Sequence, residues 1–222
     1  MLTFFGYQTG LALARLSKIC QACHVYPVFK GCLADTHWLP PKLAIKLENG
    51  LPKLSVQPAT YYDGVMRQAI SSFKDYENTL VLPYLVHGLH ELAESVAHYN
   101  PYDTVILPTP TTKGRLSDRG FDPVSILAVQ LSQLTAFDLY HGVVRRGEQM
   151  HQRGLDRQER LSNLTEAFVL EYLPDASCVV LFDDVATTGA TLKALATTLL
   201  NANPALTVCA LCLAHGSPTY LN

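Results

Sequence analysis

Two adjacent carboxylates, Asp183 and Asp184, end the apolar run Val179-Val-Leu-Phe182, and Val-Ala-Thr-Thr-Gly-Ala-Thr191 follows them. Carboxylates accept hydrogen bonds from sugar hydroxyls or help to hold a divalent cation. The next stretch, Ala186, Thr187, Thr188, Gly189, Ala190 and Thr191, offers different chemistry. Gly189 permits a positive φ or a close approach to a ligand. Successive N–H groups at a helix start, here about residues 187–191, form a ready phosphate site, and the hydroxyls of Thr187, Thr188 and Thr191 add donors. A ligand with a terminal phosphate and a vicinal diol, such as a ribose 5-phosphate, matches both halves. Two acids or a Thr-rich turn alone could equally leave a strand and cap a helix. The whole order of strand, acids, loop and helix is what points to a ligand.

A strand and a helix must hold these groups. Residues 179–182 are fully apolar, as a strand buried on both faces requires, and 192–200 read as a helix. Upstream, Val65, Met66, Ala69, Ile70 and Phe73 mark a helical stripe over 62–74. Leu85, Val86, Leu89, Leu92, Ala93 and Val96 mark a second, with Pro83 tolerated in its first turn. A strand is expected at 103–107, ending in Pro-Thr-Pro. Asp122 as N-cap and Pro123 at N1 open a third helix, and Val124, Leu127, Ala128, Leu131 and Leu134 mark its buried face. Further strands are expected at 138–144 and 206–213. This alternation implies an α/β fold: a mostly parallel sheet flanked by helices on both faces. Ligands of such sheets sit beyond the carboxyl ends of the strands, which is where 183–191 must lie. Residues 39–58 (LPPKLAIKLENGLPKLSVQP) show no sustained period and read as a connector. They join a small head with an N-terminal helix and three cysteines, residues 1–50, to a main domain, 51–222.

The 222 residues are 48% hydrophobic and 16% charged, enough to bury a core and too apolar for a disordered chain. No apolar run approaches the ~18 residues that cross a bilayer. The start lacks a basic region followed by a clean apolar stretch, so a cytoplasmic protein without a membrane span is expected. Net charge is −2, which gives no general attraction to nucleic acid. Six cysteines are too few for a disulfide scaffold at this length. Cys20, Cys23 and Cys32 crowd the head, where metal is favoured over disulfide. Cys209 and Cys212 share the C-x-x-C spacing but lie in a strand pattern, where i and i+3 point to opposite faces. They read as core cysteines, as does Cys178. The eight histidines are scattered, and no nucleophile–base arrangement stands out.

The segment 179–191 resembles the phosphoribosyl-pyrophosphate (PRPP) motif of type I phosphoribosyltransferases. The wider chain resembles the ComF family of that superfamily, which includes GntX-like proteins. The resemblance rests on Tyr62-Asp-Gly-Val-Met-Arg67 through Phe73-Lys74, and on Ile106-Leu-Pro-Thr-Pro110 with Arg115 and Arg119-Gly-Phe121. It continues through Gln152, Leu155, Arg160 and Asn163 to Ala167-Phe168. It implies that Asp183 and Asp184 hold ribose hydroxyls and that 186–191 hold the 5-phosphate. Thr109, Thr111 and Thr112, with Lys113, Arg115 and Arg119, would form the pyrophosphate loop, and Mg²⁺ would accompany PRPP. Transfer of this kind needs no protein nucleophile. Where the family usually has Asn, this chain has Asp122; either caps a helix, but an inward charge would weaken anion binding.

Cys20, Cys23 and Cys32 also resemble the family's N-terminal zinc finger, with Asp35 in the fourth position and His24 or His37 as alternatives for that ligand. Residues 113–160 hold eight Lys or Arg and six acids, net +2. They read as a basic loop closing over pyrophosphate, a groove for a DNA backbone, or a solvated surface of mixed charge. Aromatics there are few, which gives little support to a stacking platform for single strands. The resemblance implies a competence protein supporting uptake of transforming single-stranded DNA into the cytoplasm, alongside a helicase-like partner. PRPP would be its donor and the acceptor is unspecified. The alternatives are a non-catalytic adaptor or sensor for PRPP, DNA or a partner, and a phosphoribosyltransferase of general nucleotide metabolism.

Overall fold

Alternate residues of the central strand face two separate cores, which is why its sequence is apolar throughout. Val180 and Phe182 pack with one cluster and Val179 and Leu181 with the other, all four at 0% exposure. A computed structural model describes residues 32–48, 50–146 and 167–216. In chain order its strands are β1 (Leu43–Ile45), β2 (Leu54–Tyr61), β3 (Thr104–Pro108), β4 (Asp138–Leu139), β5 (Val143–Arg145), β6 (Phe168–Leu170), β7 (Cys178–Ala186) and β8 (Thr207–His215). The helices are α1 (Gly64–Tyr76), α2 (Leu82–Ser95), α3 (Lys113–Arg119), α4 (Pro123–Thr135) and α5 (Ala190–Ala202).

The main sheet has the order β1-β2-β8-β7-β3-β4. All its neighbours are parallel except β1, which runs antiparallel to β2. Helices α1, α2 and α4 cover one face and α5 the other, the mixed α/β architecture expected from the sequence. Asp122 caps α4 as its type suggests, accepting from the N–H groups of Val124 (3.1 Å) and Ser125 (3.2 Å). Gly88 lets α2 approach the sheet closely: a β-carbon there would stand 3.0 Å from Leu213 Cδ2. Cys212 lies in the α5-side core and Cys209 packs against the opposite one, so the pair cannot chelate.

Three expectations change. Residues 39–58 are not a plain connector, because β1 and most of β2 lie within them. The pattern was hidden by Gln57 and Pro58 in a buried strand. Pro58 lies beyond the end of β1, so its missing N–H breaks no pairing on that side. Gln57 is satisfied internally, Nε2 donating to the carbonyls of Pro40 (3.0 Å) and Pro58 (2.9 Å). The strand expected at 138–144 is two strands in different sheets. Gly142 marks the break, for a β-carbon there would collide with the Tyr140 ring and the Tyr172 carbonyl. Helix α3 was not foreseen. Thr112 caps its start, its Oγ1 accepting from Arg115 N (3.2 Å), and Gly120 ends it with a left-handed turn.

Candidate functional site

The chain leaves β3 for β4 on one side of the sheet and leaves β7 for β8 on the other. The crevice between β3 and β7 is therefore the switch point at which an open α/β sheet offers room for a ligand. A cleft of ≈ 180 Å³ opens there. Its polar wall is formed by Lys74, Arg115, Arg119, Arg145, Asp122, Asp183 and Asp184, with Thr109, Thr111 and Thr191.

The expected acids, the pyrophosphate-loop residues Thr109, Thr111 and Arg119, and Thr191 thus share one cavity. Ala186, Thr187, Thr188, Gly189, Ala190, Thr112 and Lys113 do not line it. Ala186 turns into the α5-side core, while Thr187 and Thr188 are exposed on the loop before α5. Gly189 takes a left-handed φ of 69° and, as the N-cap residue, gives α5 no side-chain acceptor, so the N–H groups of the first turn beyond Ala190 have no cap from it. Thr188 Oγ1 reaches only the N–H of Ala190, at 3.4 Å.

Two threonines of the β3 loop have structural work. Thr109 donates from both N (2.8 Å) and Oγ1 (3.1 Å) to the Phe182 carbonyl, tying the end of β3 to the end of β7. Thr112 caps α3. Asp122 lines the cleft, yet its Oδ1 serves the α4 start and its Oδ2 accepts from Ser125 Oγ (2.8 Å). Its charge is thus engaged with the helix N-terminus. Arg119 lies 3.8 Å from Asp75, and the Arg145 guanidinium packs 5.6 Å from the centre of the Phe168 ring.

The two central acids differ. Asp184 is 4% exposed, accepts from Val185 N (2.8 Å) through Oδ1, and meets Lys74 Nζ at 2.6 Å through Oδ2. Asp183 is partly exposed and its Oδ1 accepts from Asp184 N (2.9 Å). Burial, with the Asp184 carboxylate beside it, pushes Asp183 up to about 7. Arg145, one of the basic residues of 113–160 read as a loop over pyrophosphate, lines this cleft, whereas Lys74 has no place at the site in the sequence analysis. A signal for Lys74 existed: it continues the buried row Met66, Ile70 at i+4, and a lysine on an apolar stripe calls for a buried partner.

Of the expected metal ligands, Cys20, Cys23 and His24 lie outside the described residues. Cys32, Asp35 and His37 line a second cavity of ≈ 470 Å³ with Thr60, Tyr61 and Asp63. Cys32 Sγ accepts from Ala34 N at 3.4 Å, and His37 stacks on Tyr61. Among the described residues no group of three or more His, Cys, Asp or Glu is placed to hold a metal. Arg153, Arg157 and Arg160 of the basic stretch, and Gln152, Leu155 and Asn163, also lie outside the described residues. No described helix is long and apolar enough to cross a membrane.

No family model matches the chain. Over 92 residues it is 35% identical to Competence protein F of Haemophilus influenzae, a stretch that covers 40% of this chain and 40% of that protein. The match thus spans about 40% of the length of the curated relative.

Proposed function

We propose that the cleft between β3 and β7 binds PRPP and that the protein is a competence-related member of the ComF kind. One observation carries this reading. Two acids at the end of β7, Thr191 in the first turn of α5 and three arginines line one cleft at the switch point of a parallel sheet. Asp183 and Asp184 form the floor under the ribose. The loop 186–191 takes the 5-phosphate with backbone N–H groups, and Thr111, Arg115, Arg119 and Arg145 surround the diphosphate, where arginine suits bidentate contact.

In transfer, the bond from ribose C1 to the diphosphate oxygen breaks, a bond to the acceptor forms, and diphosphate departs with the electron pair. The residues act by orienting the ribose and neutralising the leaving group. Mg²⁺ bound with the diphosphate would supply further neutralisation of the leaving group, and Asp183, partly exposed on the cleft, is the carboxylate that would help to hold it. The similarity to Competence protein F supports a competence-related role; uptake of DNA, with single-stranded DNA and a helicase-like protein as partners, is the proposal within it. Zinc is proposed for the head, on the spacing of Cys20, Cys23 and Cys32.

The test is calorimetric titration of PRPP into Asp184→Asn and Thr188→Ala. Both are expected to bind more weakly than wild type; undiminished binding in both contradicts this placement. Diphosphate release on adding candidate bases separates an enzyme from a binding protein that uses the same cleft.

A further inference from the structure

Three consecutive residues of the last turn of α1 tie that helix across the cleft. The Phe73 and Phe121 rings meet in an edge-to-face arrangement, with centroids 5.7 Å apart. Lys74 reaches Asp184, and Asp75 faces Arg119 at 3.8 Å. The turn that carries Lys74 is therefore anchored on both flanks, and the ammonium is aimed at one carboxylate oxygen. Asp184 is buried: its Oδ1 accepts from Val185 N, and its Oδ2, which no hydrogen-bond donor meets in good geometry, is held by the charge of Lys74 at 2.6 Å. A buried carboxylate needs its charge compensated, and here Lys74 supplies that from the protein itself. Asp183 differs: it is partly exposed, lines the same cleft, and receives one backbone N–H.

We propose that Lys74 is a positioning residue acting through Asp184: the Lys74–Asp184 pair is the fixed floor of the cleft, and Asp183 is the carboxyl that meets the ribose hydroxyls. This rests on the phosphoribosyl reading of the cleft and divides the work within it. The ligand class is a sugar phosphate with an intact vicinal diol, discriminated from its deoxy analogue by one side chain. A site built to bond a hydroxyl rejects the analogue that lacks it.

The experiment is calorimetry on the full chain with ribose 5-phosphate, 2-deoxyribose 5-phosphate and inorganic pyrophosphate as separate probes. Asp183→Asn is expected to erase the preference for ribose over deoxyribose. Lys74→Met is expected to weaken ribose 5-phosphate about tenfold while leaving pyrophosphate within about twofold, as loss of one charge-assisted contact to a ligand-positioning group predicts. Lys74→Arg, which keeps the charge, should restore ribose 5-phosphate binding. Equal weakening of both probes in Lys74→Met would place the ammonium on the phosphate itself and overturn the proposal, as would unchanged ribose 5-phosphate binding. If Lys74→Met fails to fold, the neutral pair Lys74→Met/Asp184→Asn removes the buried charge together with its partner. A retained preference for ribose in that variant supports Asp183 as the reader, and its loss overturns it. Wild type that binds none of the probes contradicts the phosphoribosyl reading, and this inference with it. The variant outcomes contradict this inference alone.

Discussion

Ile45 fills the space that a β-carbon on Gly189 would need. The edge strand β1 therefore lies against the loop that leads into α5, and Lys193 on the first turn of α5 adds an ion pair to Glu48 at 2.7 Å. Gly189 also sits at φ 69°, in the left-handed region. Gly189→Ala should lower unfolding free energy by about 2–4 kcal/mol, through backbone strain and overpacking together. In an Ile45→Ala background only the backbone share remains, about 1–2 kcal/mol. Urea unfolding of the four proteins measures this; equal costs in both backgrounds contradict the contact.

Asp183 gives the stability a pH dependence opposite in sign to that of an ordinary aspartate. Its carboxyl holds a proton up to about pH 7 in the fold, against about 4 in the unfolded chain. The stability it contributes is fully present below about pH 4 and is lost as pH rises through about 7. Wild type should lose about 1–3 kcal/mol relative to Asp183→Asn between about pH 5 and about pH 8. Parallel pH profiles for the two proteins would exclude this environment for Asp183.

Gly88 is a packing requirement on α2. Its missing side chain lets the helix meet Leu213, which is 0% exposed. Gly88→Val should destabilise by about 1–3 kcal/mol, read from the urea midpoint, with PRPP affinity unchanged because the position is remote from the cleft lining. An unshifted midpoint would show that α2 can move aside.

Zinc in the head predicts about one zinc ion per chain by metal analysis of protein prepared with zinc supplied. Cys23→Ser should lose it, and so should treatment with a strong chelator. Metal-free wild type under those conditions would contradict a zinc head.

What the sequence disclosed follows from the range of the forces involved. The strand at 179–182, the cap at Asp122-Pro123 and the α1 stripe depend on neighbours within a few residues, so composition and spacing reveal them. The pairing of β1 with β2 was not legible, because Pro58 and Gln57 interrupt the pattern and are satisfied by partners elsewhere. The acids were legible as chemistry, but not their inequality. That depends on Lys74 arriving from a distant helix and on burial, which no local pattern encodes. Thr109 and Thr112 matched the loop's chemistry, while the fold gives them a carbonyl and a helix start to hold.

The central claim is a PRPP site at the ends of β3 and β7. The most direct measurement is calorimetric binding of PRPP, with and without Mg²⁺, to wild type and to Asp183→Asn/Asp184→Asn. The account predicts micromolar binding to wild type that the double substitution abolishes. Absence of binding to wild type, or equal binding to both proteins, would contradict it.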